Sequence, residues 1–300
     1  MNDKRVCFDF AVAFSNGGGI QGQEFRLDID GDNISDEALA RYIVSDLRLL
    51  MVGSVEILRK EVIREAHKGN LTGRSLASDG NRRIDLSHVI EAGMVTYKGL
   101  PGPIICDHLS REQSRAMYAQ GTEFQIDRVE MVGNTGTYID TPFHRYADGH
   151  DLAALALERV SNVPGIVVPV DWNNGRAITA SAFHGRQVTG RAVLVHTGWD
   201  RFWRTDTYFE GHPHLTADAA MYLRDEGALL VGIDSFNIDD VSGRERPVHT
   251  ILLAAEIPVV EHLTRLAALP GEGFRFWAVP PKIHEVGTFP VRAHAELVAA

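Results

Sequence analysis

Gly133 to Gly149, reading GNTGTYIDTPFHRYADG, constrains this chain more than any other stretch. It follows an apolar run, Phe124, Ile126, Val129, Met131 and Val132, that reads as a strand entering a core. Gly136, Thr137, Asp140, Thr141 and Pro142 then break both the strand and the helix period, so a strand end turning into a structured loop is expected. Pro142 cannot donate to a sheet ladder, which stops the strand near Asp140. In extended chain Asn134, Tyr138, Asp140 and His144 project towards one side. A carboxylate and an imidazole so spaced suit a metal, or a general base held by an acid. A loop corner with a capping aspartate and a core histidine is the plainer alternative for so short a motif.

His249 and Glu261 raise the same question. Both sit among apolar neighbours, Val248 beside the first, Val259 and Val260 beside the second. A lone charge buried there costs several kcal/mol or shifts its pKa, so each needs a partner. A structural His–Glu hydrogen bond and a pair of metal ligands both meet that need. His67, His212, His214, His284 and His294 lie in polar or terminal contexts and are expected to be solvated, while His88 and His108 follow short polar turns.

Ahead of these residues lies a stretch with a different character. Phe8, Phe10, Val12 and Phe14 alternate, as do Phe25, Leu27 and Ile29, around a turn holding Gly17-Gly18-Gly19; this reads as a hairpin. No helix pattern follows the glycines, so they form no dinucleotide fingerprint, and no nucleotide cofactor is expected. Ser35 caps a helix opened by Asp36 and Glu37, with Leu39, Ile43, Leu47 and Leu50 at helical spacing. Val55, Ile57, Val62 and Ile63 suggest one or two more short strands. Residues 1–67 thus read as a small ββαβ-like unit, marginal alone and suited to an accessory or dimerisation role. Residues 68–81 read as a linker and 82–300 as the main domain. In the latter a helix is expected over Leu152–Val160, strands over 166–170 and 192–196, a helix over Thr216–Glu226 capped by Thr216, a buried strand to Asp234, a helix over Val248–Ala255 and a late strand from Phe274. Without a regular βαβα repeat, this is α/β with a mixed sheet.

A net charge of −10 argues against nucleic acid, whose phosphates need clustered Lys and Arg. No run approaches the ~18 apolar residues of a membrane span. The first residues alternate rather than forming a signal peptide, and Cys7 and Cys106 are too few and too far apart for a disulfide framework. A cytoplasmic protein is expected.

The ordered set of motifs resembles the cyclase family, metal-dependent hydrolases that include kynurenine formamidase and isatin hydrolase. Its signature is His-x-Gly-Thr-His-x-Asp-x-Pro-x-His, and this chain has Asn134, Gly136, Thr137, Tyr138, Asp140, Pro142 and His144 at those places. Asp85 to Gly93 (DLSHVIEAG), Thr197 to Asp200 (TGWD), Gly232 to Ser235, Pro247 to His249, Val260-Glu261 and Pro290 to Arg292 are similar to family landmarks in the same order, over roughly residues 82–297. The resemblance implies a swivelling β/β/α domain and a homodimer or larger oligomer. It also implies that His249 and Glu261, at their twelve-residue spacing, are metal ligands with Asp140. Asn134 and Tyr138 replace two signature histidines, and neither a neutral amide nor a phenol of pKa ~10 is a good ligand.

Two site readings therefore stand. In one, Asp140, His249 and Glu261 hold a single Zn²⁺ or Mn²⁺ and His144 shuttles a proton. In the other no metal binds, and Tyr138 and His144 move protons themselves. The first is a hydrolase of a small amide, formamide, cyclic amide or lactone, with Tyr138 or Asn134 stabilising the oxyanion. The second is a cyclase or dehydratase of secondary metabolism. A non-catalytic binding protein on the same fold is the third possibility. The expected substrate pocket is walled by Tyr97, Phe143, Trp199 and His88, with Phe202 and Trp203 as further aromatic candidates.

Overall fold

The computed structural model describes residues 4–29, 33–46, 49, 51–64 and 82–298. The chain divides into two compact units, Met1–Ala77 and Ser78–Ala300. The expected linker, with His67, Leu47 and Leu50, lies outside the described residues.

The first unit runs β1 (Lys4–Phe14), β2 (Gly19–Asp28), α1 (Asp36–Asp46) and β3 (Val52–Arg64), with sheet order β2-β1-β3, all antiparallel. Alternation carries Phe8, Phe10 and Val12 onto the buried face, where Leu39 and Ile43 of the helix close the core. Ser35 accepts the Ala38 amide at 3.1 Å. The apolar positions after Gly53 belong to one long strand, because β3 pairs with the whole of β1.

The second unit contains β4 (Arg83–Asp85), β5 (Ile104–Leu109), α2 (Arg111–Arg115), β6 (Ile126–Glu130), β7 (Tyr138–Asp140), β8 (Val163–Pro169), β9 (Ala177–Ile178) and β10 (Ala192–His196). Then come β11 (His214–Leu215), α3 (Ala217–Asp225), β12 (Leu230–Ile233), α4 (Pro247–Ala254), β13 (Val259–Glu261), β14 (Phe274–Trp277), β15 (Thr288–Pro290) and β16 (His294–Leu297). Nine strands form one mixed sheet in the order β15-β7-β13-β12-β10-β8-β14-β16-β4. β8, β10, β12 and β13 are parallel and the flanking strands antiparallel, so this is the expected mixed α/β architecture, with few helices.

Alternation splits the sheet's side chains between two cores. Val193, Val195, Val231, Ile233 and Val259 pack under α3 and α4; Leu194, Val260, Ile139 and Val167 pack on the other face. Each is fully or almost fully buried, and truncating one such aliphatic to alanine costs about 2–5 kcal/mol. None of the described helices is long and apolar enough to cross a membrane.

Three local expectations fail. Phe124 to Val132 does not enter the core: among the described residues β6 pairs only with β5, and Phe124, Ile126 and Val129 are exposed. Leu152–Val160 is no helix. Asp151 accepts the Ala153 and Ala154 amides at 2.9 Å, turning the chain, and one 3₁₀ turn follows at Leu157–Arg159. Thr216 stands at the N-cap of α3 but spends its hydroxyl on the Ile178 carbonyl instead of capping.

Candidate active site

The site is built by strand register. In the antiparallel pair β7·β13, Tyr138 stands opposite Glu261; in β7·β15, Asp140 stands opposite Thr288. Partners directly opposite share a face, so these four side chains converge. Gly133 lets the incoming chain approach β15, since a Cβ there would lie 2.2 Å from the Thr288 carbonyl. Gly136 has φ +65° and a Cβ path blocked by Ile90 at 2.9 Å, so only glycine fits the turn into β7. Strand β7 ends at Asp140 as Pro142 requires, and the 3₁₀ turn Pro142–His144 swings His144 back over the strand end.

Helix α4 delivers His249 to the same place. Its N-cap residue Arg246 gives no side-chain cap, and Asp239 does that work from the preceding loop. Asp239 Oδ1 accepts the Val248 amide at 2.7 Å, and Oδ2 accepts the His249 amide at 3.1 Å. The same Oδ2 lies 2.6 Å from His249 Nδ1, which fixes the ring and turns Nε2 inward. Nε2 then lies 3.5 Å from Asp140 Oδ2 and 3.7 Å from Glu261 Oε1. One ligand atom from each of Asp140, His249 and Glu261 falls within 4.8 Å of the others, and all three residues are buried.

Three of the four carboxylate oxygens in the cluster accept hydrogen bonds. Thr288 Oγ1 donates to Asp140 Oδ1 at 2.5 Å, Tyr138 donates its hydroxyl to Glu261 Oε2 at 2.5 Å, and Ile238 donates its amide to Glu261 Oε1 at 2.6 Å. Asp140 Oδ2 is buried without a hydrogen-bond partner among the described residues. Burial alone would raise the Asp140 pKa, yet the neighbouring imidazoles of His144 and His249 and the Thr288 hydroxyl hold it below its ordinary value. Burial pushes Glu261 up to about 7, with the Asp140 charge adding to it against His249. It also drives the Tyr138 phenol well above 10, so that phenol stays neutral. For His249 burial acts downward, but Asp140, Asp239 and Glu261 outweigh it and lift the ring to about 10. Two carboxylates facing one imidazole demand a cation between them, whether a proton or a metal ion.

The cluster opens into a cleft of about 310 Å³ whose lining includes Asn134, Tyr138, His144, His249 and Glu261, with Tyr97 and Leu100 as walls. A family model described as "Putative cyclase" matches residues 84–240, more than half of the sequence. The chain belongs to the cyclase family. The kynurenine formamidase of Geobacillus thermodenitrificans (strain NG80-2) is 28% identical over 215 residues, which cover 71% of this chain and 96% of that protein. Isatin hydrolase A from Labrenzia aggregata superposes with a TM-score of 0.64 at 20% identity, covering 74% of this chain and 96% of that one. A structure from Bacillus stearothermophilus, described as a predicted metal-dependent hydrolase, matches at 26% identity and a TM-score of 0.52 over 72% of this chain and 98% of that chain. This chain is a cyclase-family hydrolase.

Of the expected pocket walls, only Tyr97 lines the cleft; its hydroxyl accepts from Asn237 Nδ2 at 2.7 Å. Trp199 is sealed in an aromatic cluster with Tyr208 and Phe236, its indole N–H donated to the Tyr208 carbonyl at 3.0 Å. His88 stacks on Trp203 with centroids 4.0 Å apart, outside the cleft, and burial pushes its pKa down to about 4. Phe143 sits on the turn that presents His144 but does not line the cleft, and Phe202 and Trp203 belong to the Trp199 cluster. His108 is exposed on β5. Of the histidines expected in solvent, His212 is buried, its Nε2–H donated to the Asp239 carbonyl at 3.0 Å.

Asp239, Thr288, Arg145, Asn237 and Arg246 are the site residues that the sequence reading missed. Only Asp239 carried a signal: α4 begins Pro247-Val248-His249 with no Ser, Thr, Asp or Asn before it, so its amides need an outside acceptor.

Proposed function

We propose that this cyclase-family hydrolase cleaves a small amide, formamide, cyclic amide or lactone with the Asp140, His249, Glu261 and His144 cluster. The observation that carries the reading is the convergence of three buried ligand atoms within 4.8 Å on a cleft that His144 also lines. The unpartnered Asp140 Oδ2, the inward Nε2 of His249 and the carboxylate of Glu261 fit one divalent ion such as Zn²⁺ or Mn²⁺. When bound, such an ion lowers the pKa of a coordinated water towards ~7.

The chain's own groups supply the proton traffic. Thr288 has one hydroxyl proton and gives it to Asp140 Oδ1, so the 2.6 Å contact to His144 Nδ1 is an N–H donation from the imidazole. That tautomer leaves His144 Nε2 bare, the atom that takes a proton from water as its oxygen adds to the carbonyl carbon. The same nitrogen returns the proton to the departing amine or alkoxide as the C–N or C–O bond breaks. Tyr138 is committed to Glu261, so the oxyanion falls to the Asn134 side-chain amide. The two free cysteines fit a cytoplasmic setting.

A second reading, a metal-independent cyclase or dehydratase, draws on one fact: both Glu261 oxygens already accept hydrogen bonds. The test is turnover of formanilide and isatin by the full chain, with and without EDTA, in wild type and His144→Ala. Turnover that EDTA and His144→Ala both abolish upholds metal-assisted hydrolysis. EDTA-insensitive hydrolysis that still needs His144 favours a site that works without metal, as the second reading holds, and turnover indifferent to His144 rejects both.

A further inference from the structure

Two arginines stand at the cleft on the segments that carry the chemistry. Arg145 directly follows His144, and Arg246 directly precedes Pro247 at the start of α4. Both line the cleft. Several other arginines of this unit are ion-paired, Arg83 with Glu296, Arg204 with Glu91 and Arg292 with Asp85 among them. Neither Arg145 nor Arg246 has a carboxylate partner among the described residues. Arg145 reaches only the Thr250 hydroxyl, at 3.4 Å, with its guanidinium 5.4 Å from the Tyr146 ring centroid. Arg246 donates through Nη1 alone, to the carbonyls of Asp240, Gly243 and Glu245 at 3.2, 3.0 and 2.7 Å. Those carbonyls share the two Nη1 hydrogens and hold the guanidinium in place, with its Nε and Nη2 donors left for a ligand.

We propose that Arg145 and Arg246 bind a carboxylate on the substrate, so that the enzyme acts on small anionic amides; this rests on the amide-hydrolase reading. In a chain of net charge −10, two guanidiniums without acidic partners beside one cleft are a place prepared for an anion. The planar fork of arginine matches a carboxylate in two parallel hydrogen bonds. Asp140 and Glu261 at the other end repel an anion, which orients the substrate. Its carboxylate lies towards the arginines, and its scissile carbonyl lies beside His144 and the Asp140 cluster. Tyr97 and Leu100 offer an apolar wall to the part between, and about 310 Å³ suits a molecule of one ring.

Two arms test this on the full-length chain. In the first, benzoate and benzamide are titrated by calorimetry with and without EDTA. Benzoate is expected to bind in preference to benzamide, and Arg246→Gln and Arg145→Gln each to weaken it about ten- to a hundredfold, Arg246→Lys less. Arg145→Gln lies outside the 240–245 loop, so it stays informative where Arg246→Gln disturbs that loop. Equal binding of the two probes, no benzoate binding, or binding lost to EDTA but kept in both Gln variants overturns the proposal. In the second arm, kcat/KM for N-formylanthranilate over formanilide is expected to exceed one and to fall towards one in both Gln variants. A ratio that neither variant moves overturns it. Failure of wild type to hydrolyse either substrate rejects the amide-hydrolase reading and leaves the benzoate arm to decide the arginines.

Discussion

Thr288 Oγ1 lies 2.6 Å from His144 Nδ1, and that contact sets the imidazole tautomer on which the proposed mechanism rests. Because the same hydroxyl donates to Asp140, one threonine couples the proposed base to the candidate ligand cluster. Thr288→Val keeps the shape and removes the relay. It is expected to lower kcat about 10- to 100-fold with little change in KM, while Thr288→Ser retains most activity. Steady-state kinetics of the three proteins decide it. An unaltered kcat in the valine variant means that His144 is oriented by something else.

Metal content is the next expectation. Purified protein analysed by plasma mass spectrometry is expected to hold about one divalent ion per chain, not two, since Asn134 and Tyr138 stand where two further imidazoles would be needed. Asp140→Asn leaves the geometry and removes the charge, so occupancy and turnover should fall together, turnover by about 100-fold or more. Two tightly held ions in wild type contradict this arrangement.

In the proposed mechanism Tyr138 is a positioning residue with a neutral phenol, because burial and the Glu261 charge hold its pKa well above 10. Tyr138→Phe withdraws the donor from Glu261 Oε2. The expected result is a loss of about 1.5–3 kcal/mol of stability, the worth of a hydrogen bond to a buried charge. Alongside it, a drop in kcat/KM is expected that is larger below pH 7 than above, because the lost donor leaves the Glu261 carboxyl easier to protonate. Thermal melts and a pH–rate profile measure both. A basic limb that vanishes in the phenylalanine variant shows that the phenol titrates and sinks the assignment.

How much of this was legible is a matter of range. The N-terminal hairpin, the end of β7 at Asp140 and the buried strand up to Ile233 follow from local alternation and turn chemistry, which neighbours in sequence fully determine. Asp140, His249 and Glu261 were marked by charge among apolar residues, aided by the family resemblance. Thr288 was invisible, since nothing in its sequence context says that β15 pairs with β7 so as to stand opposite Asp140, 148 residues away. Trp199 and His88 misled for a related reason. An aromatic ring after a strand can face the cleft or the adjacent core, and only packing against Tyr208 and Trp203 decides. The exposed β5–β6 hairpin misled too, because an apolar alternating run reads as a core strand whichever surface eventually covers it.

Acid stability provides the last test, at a distance from the ligand cluster's own titrations. His212 is 3% exposed and burial holds its folded pKa at about 4, against 6.5 when free. Between those values the unfolded chain takes up a proton that the folded chain refuses, so stability is complete above pH 6.5 and is lost as pH falls towards 4. That difference corresponds to about 3 kcal/mol for His212. His88, also lowered to about 4, acts in the same direction. Replacing His212 by Gln keeps a donor for the Asp239 carbonyl and removes the titration. Urea unfolding at pH 7 and pH 4.5 is expected to show a smaller acid loss in His212→Gln than in wild type, even if the variant is less stable at pH 7. Identical losses in the two proteins mean that carboxylates alone govern acid unfolding, and the buried imidazole is then not the sensitive group.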